Sequence, residues 1–264
     1  MKGYEKYRRM HLTGDRLLQV NERVVSAYHP RHSHTYFELE LILEGKGRYV
    51  INGQAHDLSR ECVFFLTPTD VHYLALDGEI RLINLSFSEQ MLEEGEGRRL
   101  LCLPKGYAPD AAALVRLESA LRLLLYEYEN EGVCERELLR YVLYALFRES
   151  GQELPDERTR PDGIERARRY MELHFREPLN ERQIAEVAGY QPSYFCARFR
   201  EVTGERYGEM LTRLRLEYAC RVLESGGSVA DACFWSGFGS LSQFSAIFRK
   251  RMGMTAGAYR NLYV

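Results

Sequence analysis

Four side chains in the first third of this 264-residue chain could act together chemically: His32, His34 and Glu38, spaced His-x-His-x3-Glu, and His72 further along. If they converge, they offer three imidazoles and a carboxylate, a donor set suited to zinc, nickel, iron or manganese. Without a metal, the same groups would hydrogen-bond the hydroxyls of a small organic molecule, with Tyr36 or Tyr73 as a stacking surface.

The elements that carry these residues are short strands. From Val24 to Phe87, strand-like runs alternate with turns, and Asn52-Gly53 is a strong hairpin signal. Such a series suggests a small barrel or sandwich. Side chains alternate faces along a strand, so a continuous strand would set His32, His34, Tyr36, Glu38, Glu40 and Ile42 on one face and Phe37, Leu39, Leu41 and Leu43 on the other. The polar face either lines a cavity or meets solvent; parity alone does not decide between them.

The last third of the chain says nearly the same thing twice. IAEVAGYQPSYFCARFREVTG is echoed by ACFWSGFGSLSQFSAIFRKRMG, and Phe195 to Phe244, Phe199 to Phe248, Arg200 to Arg249 and Gly204 to Gly253 are each separated by 49 positions. Asn180 and Ser228 are good N-caps for a short first helix. Gly189 and Gly237 fall where the chain must turn, and Phe195/Phe199 and Phe244/Phe248 recur at i and i+4 as one apolar stripe. The opposite face carries Ser193, Cys196, Ala197 and Arg200 in the first copy. In the second it carries Ser242, Gln243, Ser245, Ala246, Arg249 and Lys250, preceded by Ser240. Small and polar residues there let a helix enter a DNA major groove without steric conflict. Between the copies, 205–224 reads as one amphipathic helix; its twenty positions would span roughly 30 Å, close to the ~34 Å between successive major grooves on one face of DNA. Two helical hairpins packed for stability alone are the alternative, but a solenoid would repeat more than twice.

The stretch from Ile164 to Arg260 resembles the DNA-binding domain of AraC-type transcriptional regulators: GY…YF…FR…TG, then RLEYACRVL, then SV…GF…SQFS…FRKRMG…YR stand in family order and spacing. Departures are Gln191 at a usual capping serine, Ala197 and Ala246 where arginine is frequent, Ala232-Cys233 for Ile-Ala and Thr255-Ala256 for Ser-Pro. Alanine at 197 and 246 removes guanine-reading bidentate contacts from those positions. The front half resembles the cupin pattern HxHx3Ex6G, with Glu38 followed by Gly45, although Ser26 replaces the leading glycine and the second motif around Pro68 to His72 is shortened. The resemblance implies a barrel whose polar face, including Glu40, lines an effector cavity, often for a sugar. It requires no cofactor; a divalent metal (Zn, Ni, Fe or Mn) on His32, His34, Glu38 and His72 is an option it leaves open. A metal-dependent cupin enzyme, an isomerase or oxygenase fused to a DNA-binding module, is the rival reading.

Between the two halves, Leu114, Leu117, Leu121, Leu124 and Leu125, then Leu138, Val142, Ala145 and Leu146, recur at helical spacing, with Gly132 breaking the run into two helices. In the resembled family such helices frequently form the dimer contact. The expected organisation is α+β: 1–150, a cupin-like effector-binding and dimerisation domain; 151–161, a charged linker; 162–264, an all-α domain with two helix-turn-helix motifs joined by a long helix. From Asp162 onward there are 15 Lys and Arg against 12 Asp and Glu, net +3, and the rest has 21 against 26, net −5. The basic part matches a DNA partner, with Arg200, Arg249, Lys250 and Arg251 as candidate phosphate contacts; RNA polymerase is a further candidate partner. Six scattered cysteines without a CxxC pair fit reduced thiols. No signal peptide or membrane-length apolar run is present, which predicts a cytoplasmic protein without a membrane partner.

Overall fold

A computed structural model of the chain describes residues 8–10, 12, 16–26, 29–93, 96–149 and 162–263. It divides into two compact units, Met1–Thr159 and Arg160–Val264. The expected linker, 151–161, lies outside the described residues.

The first unit is built from two five-stranded sheets. One has the order β1-β3-β8-β5-β6, with β1 Arg8–Met10, β3 His29–His34, β8 His72–Leu76, β5 Gly47–Ile51 and β6 Gln54–Leu58. The other has the order β10-β7-β4-β9-β2, with β10 Gly106–Tyr107, β7 Val63–Leu66, β4 Phe37–Glu44, β9 Glu79–Phe87 and β2 Leu18–Ser26. Pairing is antiparallel except between β1 and β3. Tyr49, Ile51, Leu58 and Leu74 of the first sheet meet Ile42, Phe64, Leu66, Ile80 and Leu82 of the second in one buried cluster, so the two sheets close on each other as a cupin-like barrel. The Asn52-Gly53 turn joins β5 to β6 as expected.

The single strand expected over 32–42 is two strands. The chain bends at Thr35-Tyr36, and β3 and β4 belong to different sheets. Alternation survives within β4: Glu38, Glu40 and Ile42 face inward, and the alternate residues Phe37, Leu39 and Leu41 are fully buried on the other side. Helix α1 covers Glu96–Leu101, and after it α2 Ala111–Glu129 packs along β2 and against α3 Glu135–Glu149. Leu117, Leu121 and Leu124 of α2 and Leu139, Val142 and Leu146 of α3 are buried. The α2–α3 connection contains Gly132, but its left-handed residue is Glu131.

The second unit is helical: α4 Gly163–His174, α5 Glu181–Ala188, α6 Pro192–Thr203, α7 Tyr207–Glu224, α8 Val229–Trp235, α9 Leu241–Met252 and α10 Ala256–Arg260. Capping boxes start both first helices: Asn180 with Gln183, and Ser228 with Asp231. Gly189 and Gly237 then turn the chain with φ of 72° and 84°. At Gly237 a Cβ would also lie 2.7 Å from the Arg176 carbonyl oxygen, so both backbone angle and space require glycine there. Phe195, Phe199, Phe244 and Phe248 are fully buried. The connecting helix begins at Tyr207 rather than 205, because Glu205 is outside it and Arg206 caps it with the Glu209 carboxylate.

Candidate effector site and nucleic-acid interface

The inner ends of β3, β4 and β8 bring His34, Glu38 and His72 together. His34 Nε2 lies 3.1 Å and His72 Nε2 3.8 Å from the same carboxylate oxygen, Glu38 Oε2. All three residues are buried, and one ligand atom from each falls within 4.8 Å of the others. The remaining ring nitrogens have fixed tasks. His34 Nδ1 is 2.7 Å from the Tyr36 carbonyl oxygen, which can only accept, so Nδ1 carries the proton. His72 Nδ1 is 2.8 Å from the Tyr49 hydroxyl. These outer contacts turn each Nε2 toward Glu38.

Glu38 belongs to a wider buried network. Asn84 on β9 donates to Glu38 Oε1 at 2.6 Å and to Glu40 Oε1 at 3.3 Å, while Arg23 on β2 donates to Glu40 Oε1 at 3.1 Å. Burial works to raise both carboxyl groups. At Glu38 the positive charge available from His34, His72 and Arg23 outweighs burial and holds the group well below the usual carboxylate range. At Glu40 burial and the neighbouring Glu38 charge prevail over Arg23, and the group is pushed up. The tyrosine hydroxyls of Tyr49 and Tyr36 are raised, chiefly by burial. One carboxylate is thus kept ionised and the adjacent one is biased toward its neutral form.

Two expected members stand apart. His32 is buried and its ring lies against that of His72, with centroids 4.0 Å apart, but it is outside the close donor group of His34, Glu38 and His72. Tyr73 follows His72 on β8 and therefore points through the opposite face of the sheet, where the Arg31 guanidinium covers its ring at 4.8 Å. Tyr36 does join the cluster, stacked on His34 at 4.3 Å. Arg23, Tyr49 and Asn84 were missed by sequence reasoning because they come from strands remote from the histidine motif. The available signal was Asn84, a polar residue flanked by Ile83 and Leu85 in the apolar stretch of β9.

In the helical unit, Ser193, Ala197 and Arg200 on α6 and Ser242, Gln243, Ser245, Ala246, Arg249 and Lys250 on α9 are exposed along the outer faces. Cys196 departs from the expectation: it is half-buried, and its thiol is raised first by burial and then by a hydrogen bond to Glu181 of α5. Ser240 is the N-cap of α9, its hydroxyl accepting from the Gln243 amide at 3.3 Å. Arg251 turns away from this face toward α7, where it lines a groove with Glu217, Cys220 and Glu224. Tyr194, 55% exposed, was not anticipated and adds an aromatic ring to the outer face of α6, edge-on to Tyr190 at 5.1 Å. As anticipated from Gln191, α6 has no side-chain cap.

A buried polar cluster inside a barrel, and two helix-turn-helix units in the same chain, define a regulator with a ligand-binding part and a DNA-binding part. Family comparison agrees: residues 22–147 match the AraC-like ligand binding domain and residues 184–262 match a helix-turn-helix domain. The chain belongs to the AraC-type transcriptional regulators. It is 24% identical over 248 residues to the HTH-type transcriptional activator RhaS of Klebsiella pneumoniae, covering 88% of this chain and 87% of that protein. It is 26% identical over 257 residues to the activator of the same name from Salmonella arizonae, covering 90% of each. Among solved structures, it is similar to ToxT from Vibrio cholerae at 13% identity and a TM-score of 0.40, over 94% of this chain and 98% of that one. The two curated relatives are HTH-type transcriptional activators, and the rival enzyme reading finds no support in them. No helix of the described residues is long and apolar enough to cross a membrane.

Proposed function

We infer that this protein is a sequence-specific regulator whose promoter binding is switched by a small polar effector held in the barrel of 1–150 and transmitted through 151–161 to the DNA-binding domain of 162–264. The observation that carries this reading is the inward-facing network of Arg23, His34, Glu38, Glu40, His72 and Asn84, joined by Tyr49 and Ser86, set among the apolar residues of the barrel interior. Burying so many polar groups is costly unless they are hydrogen-bonded; here they bond one another, and a hydroxyl-rich ligand such as a sugar offers the same complementary groups, donors to the carboxylates and acceptors to the guanidinium and amide. Tyr36 closes one side of that site.

The chain works as a homodimer in the cytoplasm, pairing through the outer face of the α2–α3 hairpin. Val115, Leu123 and Tyr126 of α2 and Tyr141 and Tyr144 of α3 are each more than 40% exposed there, and support this assignment. Each DNA-binding domain lays α6 and α9 into successive major grooves, and RNA polymerase is the partner that reads the bound state.

A second reading of the barrel concerns a divalent metal. The separations of 3.1 and 3.8 Å from Glu38 Oε2 to the two imidazole nitrogens bracket the roughly 3.3–3.6 Å between ligand atoms of a tetrahedral ion bound at about 2.0–2.2 Å. With the Nδ1 atoms engaged, His34, Glu38 and His72 fit zinc, nickel, iron or manganese as three ligands, leaving a position for an effector oxygen.

The experiment is thermal denaturation of the full-length protein against a panel of sugars and small acids, with and without divalent metals. A ligand at a hundred times its dissociation constant adds about 2.7 kcal/mol. A shift by an organic compound that is lost in His34→Ala supports the barrel as sensor. A shift produced by metal alone supports the second reading, and a shift retained in His34→Ala removes the cluster from the site.

A further inference from the structure

The two helix-turn-helix units are internal copies, so corresponding positions can be compared directly, and the comparison exposes a reversal of charge. With a separation of 49, Arg200 corresponds to Arg249 and Glu201 to Lys250. All four side chains are exposed. On α6 the outer face runs through Ser193, Tyr194, Ala197 and Glu201, with Ala197 and Glu201 three and seven positions after Tyr194, the spacing of one helical stripe. On α9 the same stripe runs through Ser242, Gln243, Ala246 and Lys250. The second helix of each unit is the one that enters the groove, and the last turn of its outer stripe approaches the flanking phosphates. There α9 presents two cations, Arg249 and Lys250. The first copy presents Arg200 beside a carboxylate, and that carboxylate also holds Arg198, with Arg198 Nη1 2.9 Å from Glu201 Oε2. The equivalent of Arg198 on α9 is Ile247, so the second copy has no such pair.

We propose that Glu201 is a discrimination residue: it weakens the phosphate grip of α6, so that α9 anchors the protein electrostatically and α6 engages only where its base-facing residues Tyr194 and Ala197 find their sequence. This rests on the reading of α6 and α9 as groove-binding helices. A carboxylate facing the backbone opposes binding to every duplex and can be offset only by correct base contacts, which is how a repulsive element produces specificity. Tyr194 and Ala197 offer apolar contact, suited to thymine methyl groups. Lys250 carries no such penalty and contributes a sequence-independent attraction.

The test uses full-length protein and two duplexes: one selected by the wild-type chain from a random library, and a shuffled sequence of the same composition. Dissociation constants are measured between about 50 and 200 mM salt. Lys250→Ala should weaken both duplexes by a similar factor and reduce the slope of log affinity against log salt by about 0.9. Glu201→Lys should steepen that slope by about 0.9 and tighten the shuffled duplex more than the selected one, so that the specificity ratio falls. Glu201→Gln, which releases Arg198, should move both quantities the same way by less. An unchanged slope in Glu201→Lys, with melting temperature preserved, would overturn the proposal, as would equal tightening of both duplexes. If selection enriches no sequence, sequence-specific binding itself fails, and the salt slopes on the shuffled duplex still decide whether residue 201 faces phosphate.

Discussion

Tyr49 holds His72 in place from the neighbouring strand: its hydroxyl lies 2.8 Å from His72 Nδ1, and the two residues sit on the adjacent strands β5 and β8. Both are buried, so the bond fixes the ring orientation that turns Nε2 toward Glu38. Tyr49→Phe removes the oxygen and little else. The hydroxyl also hydrogen-bonds the buried Glu40 carboxyl, so we expect a loss of about 1–2 kcal/mol of stability or more for the imidazole nitrogen and carboxyl left without it. If a metal occupies the site, its affinity should fall about 10–100-fold. Urea denaturation and metal titration of the same variant separate the two effects.

The duplicated phenylalanines are the centres of their units. Phe199 and Phe248 are each fully buried, and each ring packs 5.4 Å from its partner one turn earlier, Phe195 and Phe244. Truncation to alanine at either position should cost about 3–5 kcal/mol. An unchanged melting transition of the DNA-binding unit would refute their role.

Asp70 is a buried staple of the barrel. It accepts from the Thr67 amide at 2.7 Å and from Asn52 Nδ2 at 2.7 Å, and pairs with Lys105 Nζ at 2.6 Å. Lys105→Met would strand a buried carboxylate with only neutral partners. Breaking a buried pair from one side typically costs about 3 kcal/mol or more, so denaturation of this variant should show a loss of that size. The double variant Lys105→Met/Asp70→Asn should recover part of it, and failure to recover would show that the amide geometry, not charge, is what matters.

The thiols should divide by environment. Cys220 on α7 is buried and its pKa is pushed up to about 11, chiefly by burial, whereas Cys102 and Cys134 are exposed. Only the thiolate alkylates, so iodoacetamide at pH 8 should modify Cys102 and Cys134 well before Cys220. Equal labelling in peptide mass spectra would mean that α7 opens in solution.

Binding to DNA should show a specificity ratio of roughly a thousand or more over random duplex, the property that separates a regulator from an architectural DNA binder. A ratio near one in competition binding would place the chain in the second class.

Much of this molecule was legible in its residues because the signals were local. Caps at Asn180 and Ser228, turn glycines at 189 and 237 and phenylalanines one helical turn apart lie within a few positions of one another, so the duplicated helical unit could be read without knowing how it packs. The Asn52-Gly53 hairpin and the alternation of Glu38, Glu40 and Ile42 were readable for the same reason. What the tertiary structure alone decided depends on strand order, to which local pattern is blind. A bend at Thr35-Tyr36 sends β3 and β4 into opposite sheets, and the closure of those sheets brings His34 and His72 to one oxygen of Glu38 while leaving His32 beside them. It also supplies Arg23 and Asn84 from strands whose sequence distance from the motif concealed them, and it turns Tyr73 away because a side chain next to His72 on a strand must face the other side.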